Sequence, residues 1–198
     1  MENGTLFVIS APSGAGKSTL IQRIRTLFPE IVYSVSCTTR SPRPDEVNGI
    51  HYYFITEDEF SSLVAQGEFL EWKEVHGNFY GTPLKPVRES LREGKSMILD
   101  IDVQGAAEVF ARFEAAVGIF IVAPSREVLE ARLRARGTDS EESIRRRLQN
   151  ATAEMKMAEM FHYCIVNEDL EKATQQLAAI IRRETERNLS PVIPVTSR

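Results

Sequence analysis

Long apolar runs are missing from this chain. No stretch approaches the ~20 residues that a membrane-spanning helix needs, so no membrane partner is expected. The N-terminus has no basic segment followed by an apolar region, so no signal peptide is expected either and a cytoplasmic location follows. Cysteine is scarce. Cys37 and Cys164 stand far apart and make no ligand pattern, which leaves two buried thiols in a reducing cytosol as the reading. The few histidines, His51, His76 and His162, show no metal spacing and read as surface or loop residues. Charge of one sign is not in excess: 28 acids against 24 bases leave a formal charge of −4. That balance speaks against a general nucleic-acid surface and leaves room for local basic clusters that grip one small anion. Internal repeats and low-complexity segments are absent as well.

What is there suits one α/β domain with a sizeable core, for which 198 residues suffice. Short apolar runs rich in β-branched residues predict strands at 5–10, 96–101, 117–122 and 163–166. Apolar on both faces, they fit a buried parallel sheet. Helical patterns fall between or after them, at 18–27, 104–113, 126–136, 141–160 and 170–187. In the fourth, Ile144, Leu148, Ala151 and Met155 recur on one helix face. Residues 34–95 break the alternation with short mixed segments, aromatics and turn residues, and they read as a small mixed α+β subdomain inserted into a core of 4–33 and 96–185. Within it, Thr56-Glu57-Asp58-Glu59 is a capping box for a helix carrying Phe60, Leu63 and Val64. Residues 137–143 look like a lid loop, and 186–198, with two prolines after Asn188, like a flexible tail.

The strongest chemical signal is Ala11-Pro12-Ser13-Gly14-Ala15-Gly16-Lys17-Ser18-Thr19. It follows a strand and opens a helix, the layout of a P-loop. Backbone N–H groups of such a loop close around a phosphate, and the helix N-terminus adds positive potential. Lys17 would reach the outer phosphates, and the Ser18 hydroxyl would ligate Mg²⁺. The pattern asks for glycine at position 11, where this chain has Ala11.

Further along come Ser36-Cys37-Thr38-Thr39-Arg40-Ser41-Pro42-Arg43, Glu46-Val47-Asn48-Gly49-Ile50-His51-Tyr52-Tyr53-Phe54 and Phe69-Leu70-Glu71-Trp72. Then follow Gly77-Asn78-Phe79-Tyr80-Gly81-Thr82, Ile98-Leu99-Asp100-Ile101-Asp102-Val103-Gln104-Gly105 and Arg136-Gly137-Thr138-Asp139-Ser140-Glu141-Glu142-Ser143-Ile144. With the P-loop, this ordered set resembles the guanylate kinases over residues 4–185. The resemblance implies ATP + GMP → ADP + GDP in purine nucleotide metabolism, with a P-loop core, a GMP-binding subdomain at 34–95 and a lid.

Residue by residue, Arg40 and Arg43 flank a Ser-Pro turn and offer planar forks for a phosphate. Tyr52 and Tyr80 offer phenolic donors. The resemblance places all four on the GMP phosphate, where a solvated loop and core packing are the plainer readings. The Glu71 carboxylate has two acceptor oxygens side by side, which suits guanine N1–H and its amino group; the resemblance makes it the base reader, with the Ser36 and Thr82 hydroxyls beside it. An exposed edge-strand glutamate is the alternative. Asp100 and Asp102 end a strand where open parallel sheets bind ligands. Asp100 is favoured for GMP or for Mg²⁺ waters, and Asp102 suits a helix cap. Arg132 and Arg136 share a helix face, and Arg145, Arg146 and Arg147 open the helix after the lid. The resemblance puts Arg136 and Arg147 on the ATP phosphates and Asn167 near the adenine.

The acceptor is a phosphate monoester, with a second pKa of about 6, so it needs no general base. Catalysis then reduces to positioning and charge neutralisation by Lys17, Mg²⁺ and the arginines. A non-catalytic interaction module on the same fold, a P-loop kinase for another nucleotide or a phosphorylated sugar, and a nucleic-acid module are the rival readings; the last is disfavoured by charge.

Overall fold

The computed structural model describes residues 4–75, 77–135 and 140–189. His76, Arg136, part of the expected lid and residues 190–198 of the expected tail lie outside the described residues. In chain order the elements are β1 (Leu6–Ser10), α1 (Lys17–Leu27), β2 (Val32–Tyr33), β3 (Cys37–Thr38), β4 (Tyr53–Phe54), α2 (Glu57–Ala65), β5 (Phe69–Val75), β6 (Asn78–Pro83) and α3 (Leu84–Arg92). They continue with β7 (Met97–Asp100), α4 (Val103–Arg112), β8 (Val117–Val122), α5 (Arg126–Ala135), α6 (Glu141–Met155), a 3₁₀ turn at Ala158–Met160, β9 (Tyr163–Val166) and α7 (Leu170–Leu189).

The core sheet runs β2-β7-β1-β8-β9, every neighbouring pair parallel. β1 and β8 are buried along their whole length, because helices cover both faces of the sheet. One face packs Phe7, Ile9 and Ile119 against Leu20, Ile24, Leu133, Leu148 and Leu177. The other packs Val8, Leu99 and Phe120 against Val87, Leu91, Ala106 and Val109. α3 therefore belongs to a core layer although it falls within the 34–95 block. No helix among the described residues is long and apolar enough to cross a membrane.

A second sheet, β4-β3-β6-β5, pairs β3 with β4 in parallel and its other neighbours antiparallel. Its own core is small: Cys37, Phe60 and Phe69, with Ile55, Leu63, Val64 and Phe79 around them. Phe60 stacks on Phe69 and Phe79 at 4.5 and 5.4 Å. The Thr56 capping box forms in full, with Glu59 N–H donating to Thr56 Oγ1 and Thr56 N–H to Glu59 Oε2.

Several expectations need correcting. Cys37 is buried and Cys164 is exposed, because β9 sits at the sheet edge and leaves Cys164 and Val166 on an uncovered face. Met155 is exposed too, although the helical period places it with Ile144, Leu148 and Ala151. α6 ends at this residue, so the apolar face has no further turn to complete. The predicted tail begins inside α7, which runs to Leu189, where Asn188 Nδ2 donates to the Gly4 carbonyl at 3.1 Å.

Candidate active site

The phosphate loop hangs between the C-terminal end of β1 and the start of α1. Its two left-handed positions, Gly14 and Gly16, both have φ of 93°. At Gly16 a Cβ would stand 2.3 Å from Asn167 Nδ2, so glycine is required there twice over, by conformation and by space. Ala11 packs its methyl against the core instead of supplying a turn.

Asn167 follows β9 and is buried. Its amide donates to the Ala15 carbonyl at 2.8 Å. The side chain expected beside the adenine thus braces the loop through this bond. Arg132 donates through Nη2 to the Asn167 carbonyl at 2.8 Å and leaves a buried Nη1 with no hydrogen-bond partner.

Lys17 opens α1. Its ammonium lies 2.5 Å from Asp100 Oδ1 and donates to the Ile101 carbonyl at 3.2 Å. Tyr33 Oη donates to Asp100 Oδ2 at 3.3 Å. Burial and the Asp100 charge together push the Tyr33 phenol up, so it stays a donor. The ends of β1 and β7 therefore set a lysine and a carboxylate at the C-terminal edge of the sheet, where open α/β folds bind ligands.

Opposite them stands the second sheet, and a cavity of about 710 Å³ separates the two. Lys17, Ser18, Tyr33, Asp100 and Asp102 line its core side; Ser36, Tyr52, Glu71, Lys73 and Tyr80 line the other. Glu71 is 5% exposed and pairs in register with Thr82, whose hydroxyl donates to Glu71 Oε1 at 2.6 Å. The other carboxylate oxygen leans on Gly105, where a Cβ would come within 2.7 Å of it. Burial pushes the Glu71 carboxyl up, while the Thr82 hydroxyl and the Lys73 ammonium hold it down; burial prevails. Asp102 caps α4 by accepting from Gly105 N–H at 3.0 Å.

Arg40 stands beside the Tyr52 and Phe54 rings at 5.6 and 5.8 Å. It donates to Glu46 Oε1 at 2.8 Å and to the Ser41 carbonyl at 2.7 Å. Arg43 N–H donates to Glu46 Oε2 at 2.8 Å, and the Arg43 side chain is exposed. These donors draw the Glu46 carboxyl down to about 2. Arg147, half-buried on α6, is not among the residues that line the cavity, and Arg145 and Arg146 are exposed. His51 and His162 each accept a backbone N–H through Nδ1, from Val47 and Gly118. Among the described residues no group of His, Cys, Asp and Glu could by itself hold a metal ion.

Four members of this site are not singled out by the sequence reading: Tyr33, Glu46, Lys73 and Glu154. Lys73 pairs with Asp102. Glu154 reaches from α6 toward Lys17 and Lys73, has one buried oxygen without a hydrogen-bond partner, and is pushed up by burial. Lys73 had a signal, the period of two that puts it on the face of Glu71. Glu46 had its place at the head of a quoted segment, three and six residues from Arg43 and Arg40; Tyr33 and Glu154 had none, because they meet the site through tertiary packing.

Known proteins resemble this chain along nearly its whole length. The family model described as guanylate kinase matches residues 3–184. A guanylate kinase of Nitratidesulfovibrio vulgaris is 51% identical over 96% of this chain and 90% of its own. One of Carboxydothermus hydrogenoformans is 48% identical over 93% and 90%. The crystal structure of guanylate kinase from Anaplasma phagocytophilum superposes with a TM-score of 0.73 at 37% identity, covering 93% of this chain and 88% of that one. Sequence relationship and fold thus agree along nearly the whole length, and the chain belongs to the guanylate kinase family.

Proposed function

We propose that the cavity between the two sheets is where this guanylate kinase transfers the γ-phosphoryl group of ATP to GMP, and that the residues divide the work as follows. Gly14, Gly16 and the start of α1 cradle the ATP phosphates, with Lys17 on the outer ones and Asn167 and Arg132 holding the loop from behind. Glu71, with Thr82 and Ser36, reads the guanine. Tyr52, Tyr80, Arg40 and Arg43 take the GMP phosphate, and Arg136 and Arg147 supply charge from the lid side. The observation that carries this reading is the placement of Lys17 and Glu71 on opposite walls of one cavity, since a donor phosphate and an acceptor base need opposed sites.

Residues 34–95 act in this scheme as the GMP-binding subdomain, and the segment around 137–143 as the lid. Glu46 pairs with the Arg40 fork, and GMP would exchange one anion for another there. A hard cation suits the exposed Ser18 hydroxyl and the nearby Asp100 carboxylate, both oxygen donors facing the cavity. Ser18 would hold Mg²⁺ directly and Asp100 through water. When bound, the ion neutralises phosphate charge. The two free thiols accord with a cytoplasmic setting.

Lys17→Ala tests the assignment. Transfer to GMP should fall by several orders of magnitude while the protein stays folded, with a modest fall in melting temperature because the side chain is only 20% exposed and paired with Asp100. A coupled assay across GMP, AMP, UMP, CMP and sugar phosphates should show GMP far ahead. Near wild-type kcat in the variant, or equal use of AMP, would refute the reading.

A further inference from the structure

Along β5 the side chains do not alternate as a regular strand would have them. Phe69 and Trp72 both meet the Phe60 ring, at 4.5 and 6.2 Å, whereas Glu71, Lys73 and Val75 line the cavity between the sheets. In an unbroken strand Phe69 and Glu71 would share a face, and Glu71 would point into the small apolar core. The register explains the change. Phe69 stands opposite Pro83 and Glu71 opposite Thr82, so Leu70 is an extra residue without a partner on β6. Such a bulge reverses the faces that the following residues take. Leu70 itself is fully buried in the larger core, in the cluster that holds Val103, Ala106 and Val109 of α4.

A bulge leaves backbone groups without ladder partners, and buried ones need a donor from elsewhere. Pro83 has no N–H for the Phe69 carbonyl, and the next donor, Leu84 N–H, goes to the Glu68 carbonyl at 2.8 Å. Arg112, in the last turn of α4, supplies what is missing. Its Nη1 donates to the Phe69 carbonyl at 2.8 Å and to the Leu70 carbonyl at 2.5 Å. Two turns earlier on the same helix, Gly105 abuts the Glu71 carboxylate with no room for a Cβ. α4 thus grips β5 at the bulge and at the glutamate beyond it. Arg112 is not among the residues that line the cavity; it lines a separate cleft with Gly67, Leu84 and Arg88.

We propose that Arg112 is a positioning residue for transfer to GMP: by holding the Leu70 bulge from the core helix, it keeps Glu71 turned to the base. The proposal rests on the reading of Glu71 given above. A guanidinium suits the task. One of its NH₂ groups carries two hydrogens, enough for two adjacent carbonyls, and bonds from an ionised donor are stronger than neutral ones. Without it both carbonyls lose their donor and the bulge is free to shift along β5. A slip of one residue exchanges the faces and takes Glu71 out of the cavity; a smaller shift misaims it. The phosphate loop hangs from β1 and α1 and takes no part in this contact.

Arg112→Met tests this, since it keeps the stem and removes the donors. kcat/KM for GMP should fall about tenfold to hundredfold, because a misplacement of about 1 Å costs up to about a hundredfold. The loss should lie mainly in KM for GMP, and KM for ATP should stay put. Arg112→Lys keeps the charge without the planar fork and should fall between that variant and the wild type. A lower melting temperature with KM for GMP unmoved, or equal losses for GMP and ATP, would overturn the proposal, because a merely structural arginine gives one or the other. Should Arg112→Met fail to fold, Arg112→Lys carries the test on the same two constants. The double variant with Glu71→Gln separates the two readings. If Arg112 acts through Glu71, adding Arg112→Met to Glu71→Gln should leave kcat/KM for GMP nearly where Glu71→Gln put it. The full loss in both backgrounds would mean that Arg112 is misassigned while Glu71 still reads the base. If Glu71→Gln alone left the use of GMP unchanged, the base reading would fail and this proposal with it.

Discussion

Burial and hydrogen bonding pull the Glu71 carboxyl in opposite directions, and the balance sets both stability and binding. Its folded-state pKa lies above the ordinary carboxylate value, so folding favours the protonated form. The sign follows: the contribution is favourable at low pH and is lost as pH rises through the raised value. Glu71→Gln removes an ionised buried group and keeps an acceptor for the Thr82 hydroxyl. At neutral pH it should therefore melt no lower than the wild type, and any advantage should vanish on acidification. Function runs the opposite way. The variant places an NH₂ donor against a guanine donor, and kcat/KM for GMP should drop by at least about two orders of magnitude, since sites built to hydrogen-bond a substrate reject mismatches by roughly 10⁴–10⁵. A stable but guanine-blind protein is the expected outcome; a variant that melts much lower and keeps its GMP preference would show that the carboxylate is structural. Guanosine, which has no phosphate to titrate, isolates the pH effect. Its inhibition of the wild type should weaken as pH falls through a value above about 4.3, and in Glu71→Gln that acid limb should disappear.

At the scale of elements, α2 is the clearest case of a helix fixed by its own sequence. Thr56 and Glu59 satisfy each other's backbone donors, and Phe60 anchors the helix in the smaller core. Thr56→Ala should cost about 1 kcal/mol, or roughly 2–4 °C in melting temperature for a chain of this size. An unchanged denaturation midpoint would mean that the tertiary contacts of Phe60 alone define the helix start. The same comparison shows what a sequence discloses and what it hides. β1, β7 and β8 announce themselves because burial on both faces demands unbroken apolar runs, β9 by a short apolar run although its edge position leaves Cys164 and Val166 exposed, and α1, α4, α5, α6 and α7 because one face must be apolar at helical spacing. β2, β3 and β4 are two residues long and exist only through pairing with a neighbour, so no periodicity can mark them. α3 hides behind Pro86, which reads as a breaker. In the first turn, however, its missing N–H costs nothing. The site divides in the same way. Lys17 was legible from the chemistry of its own motif and Asp100 from its place at a strand end, whereas Glu71 stood out through the resemblance. Asn167 was legible only as a site neighbour, since its bond to the Ala15 carbonyl spans the whole core. Glu154 and Tyr33 were not legible at all.

For the whole molecule, the two sheets are unequal partners. The core sheet is walled by extensive apolar clusters on both faces. The second sheet rests on Cys37, Phe60 and Phe69 and their few neighbours. Local opening is easiest where few apolar contacts must be broken. Without nucleotide, amides of β3 and β6 should therefore exchange hydrogen well before those of β1 and β8. GMP bridges the Glu71 wall and the Arg40 loop in the proposed scheme, so it should slow exchange chiefly in the second sheet. At a concentration 100 times its Kd it adds about 2.7 kcal/mol to the nucleotide-bound fold, or roughly 5–11 °C at about 2–4 °C per kcal/mol. ATP with Mg²⁺, bound at the loop between β1 and α1, should raise the melting temperature while leaving β3 and β6 nearly as exchangeable as before. AMP at equal concentration should reproduce neither effect of GMP, because the position that meets Glu71 then lacks the donors. Hydrogen exchange followed by mass spectrometry, with peptides from the two sheets read side by side, decides the matter. Protection by GMP spread evenly over both sheets would mean that the second sheet is no separate unit of stability. Protection confined to β1 and α1 would put GMP in the donor site, and the division of the cavity proposed above would have to be abandoned.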